Sequence, residues 1–137
     1  MRADIVQMTD DMRKKLTFGL LIGLAIGWTS CKKGDTGGNA TITTYVAHHD
    51  KPINLPTIYV KFDAKDLPND PTNNYDLKVD GKHENHVHIK NLRYGNYYIY
   101  AVGYDSTIMQ PVVGGVPVTI KWKDRRKETE VNVPVTE

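Results

Sequence analysis

Two of the five histidines of this 137-residue chain, His86 and His88, lie two positions apart among alternating apolar residues. Side chains at this spacing on a β-strand point to the same face, so we predict that both imidazoles share one face. Imidazole is a common ligand of zinc and copper. The candidate metal ligands are His48, His83, His86 and His88.

A closed metal site needs three or four ligands, and the sequence does not bring His48 to His86. The alternative interpretation of the histidines is a polar outer sheet face next to a polar turn. Our prediction is therefore a chain without a cofactor, with zinc or copper at the histidines as the alternative.

Tyrosines form a second candidate site. Tyr98 and Tyr100 also lie two apart and are expected to face outward together. Outward tyrosines combine contact area with a polar tip, as in protein interfaces and sugar-stacking surfaces. The alternative is simple cross-strand packing on a sheet face. The candidate face for a partner protein or a glycan consists of Tyr94, Tyr98, Tyr100 and Tyr104.

Known catalytic motifs are missing from the sequence. Ser106, one of only two serines, has no G-x-S-x-G context, and there is no phosphate-binding glycine loop and no H-E-x-x-H pair. The 18 Lys and Arg residues nearly balance 16 Asp and Glu, which leaves no basic excess for phosphate contacts. We therefore predict that the protein is not an enzyme and does not bind nucleic acid.

Short β-strands must position these residues. Apolar and polar residues alternate in seven segments separated by Gly, Pro, Asn and Asp, which is typical of strands with one buried face. We predict an all-β fold, a roughly seven-stranded antiparallel β-sandwich of the transthyretin-like or immunoglobulin-like kind. Pro117 and Pro134 predict strands that lie at sheet edges or carry bulges. The seven segments are 40–48, 58–62, 75–79, 87–89, 97–101, 116–122 and 131–135.

The first thirty residues have the composition of an export signal. A basic cluster, 13–15, precedes an uncharged run, 16–28, that is shorter than the ~20 apolar residues of a membrane-spanning helix. Two small residues and then Cys31 follow. We predict a helical signal peptide over 1–30. Because acidic residues precede the basic cluster, we expect translation to begin at Met12.

The segment Trp28-Thr29-Ser30-Cys31 resembles the lipobox of bacterial lipoproteins, in which small residues precede the cysteine that receives the lipid. The resemblance implies lipidation of Cys31 and attachment to a membrane. Because Lys32 is not Asp, it also implies the outer membrane, on its periplasmic or cell-surface side. The polar, glycine-rich stretch at 31–39 is expected to be a flexible tether, and 40–137 the folded domain.

A second resemblance begins at the Asp80-Gly81 turn. The residues that follow are similar to the signature of carboxypeptidase-regulatory-like domains, which are transthyretin-like (prealbumin-type) sandwiches; the matching positions are Val87, Ile89, Leu92, Gly95 and Tyr97. Independently of the resemblance, Gly95 permits a positive φ. Tyr97 is suited to return its hydroxyl to the backbone, as in a tyrosine corner.

The second resemblance implies a non-catalytic module used for adhesion, spacing or folding. We therefore expect an envelope lipoprotein that binds another envelope protein through the tyrosines or a strand edge. The alternative is a small-ligand binder, with a glycan on the tyrosine side chains or a metal at the histidines.

Overall fold

The computed structural model describes residues 34–82 and 85–137. The predicted signal peptide, Cys31 and His83 lie outside these residues. The described residues form the predicted all-β sandwich, with two sheets of four strands. The strands are β1 (Thr36–His48), β2 (Lys51–Pro52), β3 (Thr57–Phe62), β4 (Leu77–Asp80), β5 (His86–Leu92), β6 (Gly95–Asp105), β7 (Gln110–Ile120) and β8 (Glu128–Pro134).

Sheet A is built around β1, which pairs with β5 on one side and β8 on the other, while β2 forms a short hairpin with its end. Sheet B has the order β4-β3-β6-β7. The prediction of a purely antiparallel sandwich is wrong for one pair, because β8 runs parallel to β1. The seven longer strands reverse direction at every connection, so the first and the last of them point the same way.

Alternate residues of both sheets point into a shared core, which confirms the period-two pattern. Burying an aliphatic side chain of this kind contributes roughly 1.5–3 kcal/mol. The largest fully buried side chains are Ile42, Val46, Ile58, Val60, Ile89, Leu92, Tyr97, Ile99, Val112, Ile120 and Val133. Pro117 and Pro134 lie on β7 and β8, the edge strands of their sheets, as predicted.

β1 begins four residues earlier than predicted, at Thr36, so the tether prediction is corrected for the last four residues of 31–39. Thr36 and Ala40 both pair with Leu92 across a bulge. A Cβ at Gly38 would lie 2.0 Å from the carbonyl oxygen of Leu92. Glycine here lets two backbones approach closely, rather than making the chain flexible.

Tyr97 forms the predicted corner. Its buried hydroxyl lies 2.5 Å from the carbonyl oxygen of Arg93 and 3.0 Å from that of Asp35, and it accepts a hydrogen bond from the Asp35 amide at 3.1 Å. Burial raises the pKa of Tyr97. Gly95 has a φ of 150°, in agreement with the prediction of a positive value.

Trp122 does not belong to the strand predicted over 116–122. β7 ends at Ile120 because that residue pairs with the first residue of β6, and no neighbour continues beyond it. Trp122 instead begins a short 3-10 helix and is 59% exposed. Its ring and that of Tyr94 are perpendicular with centres 4.8 Å apart, and the Arg125 guanidinium lies 4.1 Å from the centre of the Trp122 ring. Within 34–82 and 85–137, no helix is long and apolar enough to cross a membrane.

Candidate functional site

The three predicted histidines within the described residues, His48, His86 and His88, are divided between the two faces of sheet A. His86 and His88 share its outer face, as expected, with ring centres 4.8 Å apart. His48 points inward at the far end of β1 and is buried. The structure therefore does not bring His48 together with this pair, because alternate positions of β1 face opposite ways and His48 is on the inward side.

His88 takes part in a polar network on the outer face. Its Nδ1 lies 2.8 Å from the hydroxyl of Thr43, which donates a hydrogen bond to Glu128. The Glu128 carboxylate lies 3.5 Å from the same imidazole nitrogen. These contacts fit the alternative interpretation, a polar sheet face.

His48 forms a buried pair with Asp105. The two side chains meet at 2.8 Å between Nδ1 and Oδ2, and the other Asp105 oxygen accepts the Thr107 amide at 2.8 Å. The hydrogen bond from His48, then that from the Thr107 amide, lower the pKa of Asp105 to about 2. The same bond to Asp105, with the Glu137 carboxylate, raises the pKa of His48 although burial opposes this.

The second nitrogen of His48 is in a different situation. Nε2 lies 2.8 Å from a carboxylate oxygen of Glu137, within ion-pair distance, but the buried nitrogen makes no hydrogen bond of good geometry. The ring of His49 lies beside that of His48, with ring centres 4.2 Å apart and the ring planes tilted by 51°. Ligand atoms of His48, His49 and Glu137 all lie within 4.8 Å of one another.

The turn between β1 and β2 holds His49 in this position. His48 pairs with Lys51, so His49 and Asp50 are the two central turn residues, with φ values of 47° and 63°. Two positive values make this a primed hairpin turn, which favours Asn and Gly. His and Asp are, with Asn, the non-glycine residues that adopt left-handed backbone most readily, so the sequence suits this turn.

Three of the predicted tyrosines lie together. Tyr98, Tyr100 and Tyr104 are on the outer face of β6. Tyr59 pairs with Tyr100, and the Tyr75 ring contacts Tyr59 at 5.0 Å. We call these five residues the tyrosine face. Sequence reasoning did not include Tyr59, although its position between the apolar Ile58 and Val60 indicates that it faces outward.

Tyr94 does not join this face, because it packs against Trp122 at the other end of the sandwich. Tyr98 is half-buried over β7, and burial, followed by the nearby Asp66 charge, raises its pKa. Cross-strand packing, the alternative interpretation, therefore describes Tyr98. The more accessible Tyr104 is 55% exposed.

Exposed apolar side chains lie beside Tyr104, at the end of the sandwich that also holds His48. We call Leu55, Tyr104, Ile108 and Met109 the apolar tip. Leu55 and Met109 are 56% and 75% exposed, and both have left-handed backbone, with φ of 53° and 54°. Leu55 and Tyr104 line one open groove of about 470 Å³.

The histidine cluster and the apolar surface of this end of the sandwich offer different chemistry. His48, His49 and Glu137 present two imidazoles and a carboxylate, which exchange protons or bind metals. The apolar tip and the tyrosine face present apolar and aromatic surface, which supports binding.

Comparison of the chain with protein-family models, with curated proteins and with solved structures gives no match.

Proposed function

We propose that this chain is a lipid-anchored, non-catalytic module of the bacterial envelope that binds another envelope protein through its apolar tip and the adjoining tyrosine face. The observation that carries the proposal is the apolar tip, where strained backbone presents Leu55 and Met109 to solvent. Exposed apolar clusters rimmed by polar residues are typical of protein-binding surfaces.

The direction of β1 supports this arrangement. The first described residues lie at the end opposite the tip, where the Arg93 amide donates to the Asp35 carbonyl at 2.9 Å. β1 then runs 13 residues towards the tip, or about 40 Å at strand spacing. Cys31 lies only three residues before Gly34. A lipid on Cys31 would therefore leave the tip on the side away from the membrane, accessible to a partner.

Site-specific photo-crosslinking tests the proposal. A photoreactive residue is placed at Met109 in the full-length chain, in cells, and adducts are identified by mass spectrometry. The matched control is the same probe at Lys90, which is exposed on the outer face of sheet A. We expect one reproducible protein adduct from Met109 and none from Lys90.

Substitutions at the tip make the test quantitative. Met109→Asn and Leu55→Asn remove apolar side chains but keep a residue that tolerates left-handed backbone. We expect them to weaken partner binding at least about tenfold, or about 1.4 kcal/mol, without lowering the melting temperature. Equal adducts from both probe positions, or unchanged binding by the Asn variants, would contradict the proposal.

A further inference from the structure

We propose that His48, His49 and Glu137 bind a zinc ion that joins the β1–β2 turn to the segment following β8. This site is separate from the predicted histidine pair on the outer face of sheet A. It also lies outside the apolar tip, so its test does not depend on the proposed partner.

The buried imidazole of His48 is the central observation. The side chain is 3% exposed, and its Nε2 has no hydrogen-bond partner although the Glu137 carboxylate is 2.8 Å away. Buried polar nitrogens are nearly always hydrogen-bonded or bound to a metal, because removing them from water is otherwise costly. A cation bound by both this nitrogen and the neighbouring carboxylate would satisfy the nitrogen, after a small outward rotation of the exposed Glu137 side chain.

Asp105 orients the imidazole of His48 for metal binding. Its carboxylate lies 2.8 Å from Nδ1, so it can accept that N–H and leave the lone pair of Nε2 for a metal. Histidines that bind metals commonly donate their other ring N–H to a carboxylate, which fixes the tautomer and the ring orientation. Asp105 would thus be a positioning residue rather than a ligand.

The donor atoms are close enough for one ion. They lie within 4.8 Å of one another, whereas tetrahedral zinc with bonds of about 2.0–2.1 Å places its ligand atoms about 3.3–3.4 Å apart. The Glu137 oxygen, 2.8 Å from Nε2 of His48, has to move outward by about half an ångström, and any wider pair has to close. His49 and Glu137 are exposed, so their side chains can make both adjustments by rotation. Three protein ligands leave a fourth position for water, and an open groove of about 590 Å³ lined by His49 and Asp50 provides access.

An ion pair is the competing explanation. A protonated His48 between Asp105 and Glu137 would also be stabilised by the two carboxylates. It would not involve His49, and it would not respond to zinc. These two differences separate the explanations experimentally.

Zinc binding is measured by calorimetry on the full-length chain without a histidine tag, carrying Cys31→Ser so that its single thiol does not bind the metal. We expect one zinc per chain with a micromolar or lower Kd. His49→Ala and Glu137→Gln should weaken binding at least about tenfold. The control His88→Ala removes an exposed histidine from the opposite face and should leave the Kd unchanged.

Two further measurements distinguish a loss of zinc binding from a variant that fails to fold. Zinc should raise the melting temperature of the wild-type chain and EDTA should reverse the shift, by mass action on the folded state. Cobalt in place of zinc should give the intense visible bands of a tetrahedral site, absent in His49→Ala. The proposal is overturned if His49→Ala binds zinc like the wild type, or if His88→Ala weakens zinc binding as much as His49→Ala does. It is also overturned if added zinc does not change the melting temperature.

Discussion

The ring of Tyr98 lies against Gly115 on the neighbouring strand. A Cβ at Gly115 would be 2.7 Å from Cε1 of Tyr98 and 2.8 Å from the carbonyl oxygen of Ile99. Tyr98 pairs directly with Pro117, so its ring leans diagonally along β7 to cover the glycine. An aromatic ring over a glycine on an edge strand shields exposed backbone and pins the strand register.

Gly115→Ala is expected to lower the free energy of unfolding by about 1–3 kcal/mol, because the added methyl displaces a packed ring and meets backbone. Urea denaturation measures the effect. The cost should be smaller in a Tyr98→Ala background, where only the Ile99 carbonyl remains in the way. Equal costs in both backgrounds would show that the ring does not occupy this space.

Tyr97→Phe tests the corner. The substitution keeps the buried ring but removes the hydroxyl that contacts Arg93 and Asp35, so we expect a loss of about 1–2 kcal/mol. Tyr104→Phe is the control, since its exposed hydroxyl should change stability by less than about 0.5 kcal/mol. If both variants unfold at the same urea concentration as the wild type, the corner contributes nothing.

The His48–Asp105 pair predicts how stability depends on pH in the presence of EDTA. The pKa of His48 is raised, so its contribution is complete below its ordinary value of 6.5 and is lost as the pH rises through the folded value. The pKa of Asp105 falls from 3.8 to about 2, so its contribution is complete above 3.8 and is lost towards pH 2.

The melting temperature should therefore be highest between about pH 4 and pH 6.5. Asp105→Asn should flatten the curve on both sides of this range, and an NMR titration of the His48 ring should show its pKa falling in the variant. A wild-type curve that parallels the Asp105→Asn curve would mean that the pair does not control the pH dependence.

Cys31→Ser tests the lipid anchor. Acylation adds about 0.8 kcal/mol of membrane affinity for each buried methylene, so the wild-type chain should fractionate with membranes. The serine variant should leave the membrane fraction, and intact-mass analysis should show loss of the acyl mass. Because the chain has a single cysteine, this substitution removes every thiol that could accept the lipid. A wild-type protein without acyl mass would contradict the prediction.

Much of the sandwich could be predicted because each strand has one buried face. Alternation at Ile58 and Val60, for example, depends only on neighbours two positions away, and the structure buries both side chains. Strand ends were less predictable. β7 stops at Ile120 because its partner strand begins there, which is a property of pairing rather than of the local sequence.

The histidine site could not be predicted from spacing. Asp105 is 57 positions from His48, and the two meet only because β1 and β6 end at the same end of the sandwich. The lack of a hydrogen-bond partner at Nε2 of His48 is likewise a consequence of packing. The one local signal was the adjacent pair His48-His49, in which His49 forms, with Asp50, a two-residue turn that lacks the usual glycine.

From the parallel pairing of β1 with β8 we infer that this is the last pairing of the domain to form. In sheet B, β4 and β7 each pair with the strand that precedes them along the chain, and β3 pairs with β6. β1, in contrast, pairs with a strand more than 80 positions away. Contacts of such long range form slowly, because the loop must close before they stabilise anything. Until β8 arrives, one edge of β1 presents unpaired amides and carbonyls, which is a template for another chain's strand. The nascent domain is therefore most exposed to aggregation and strand exchange just before its last strand docks.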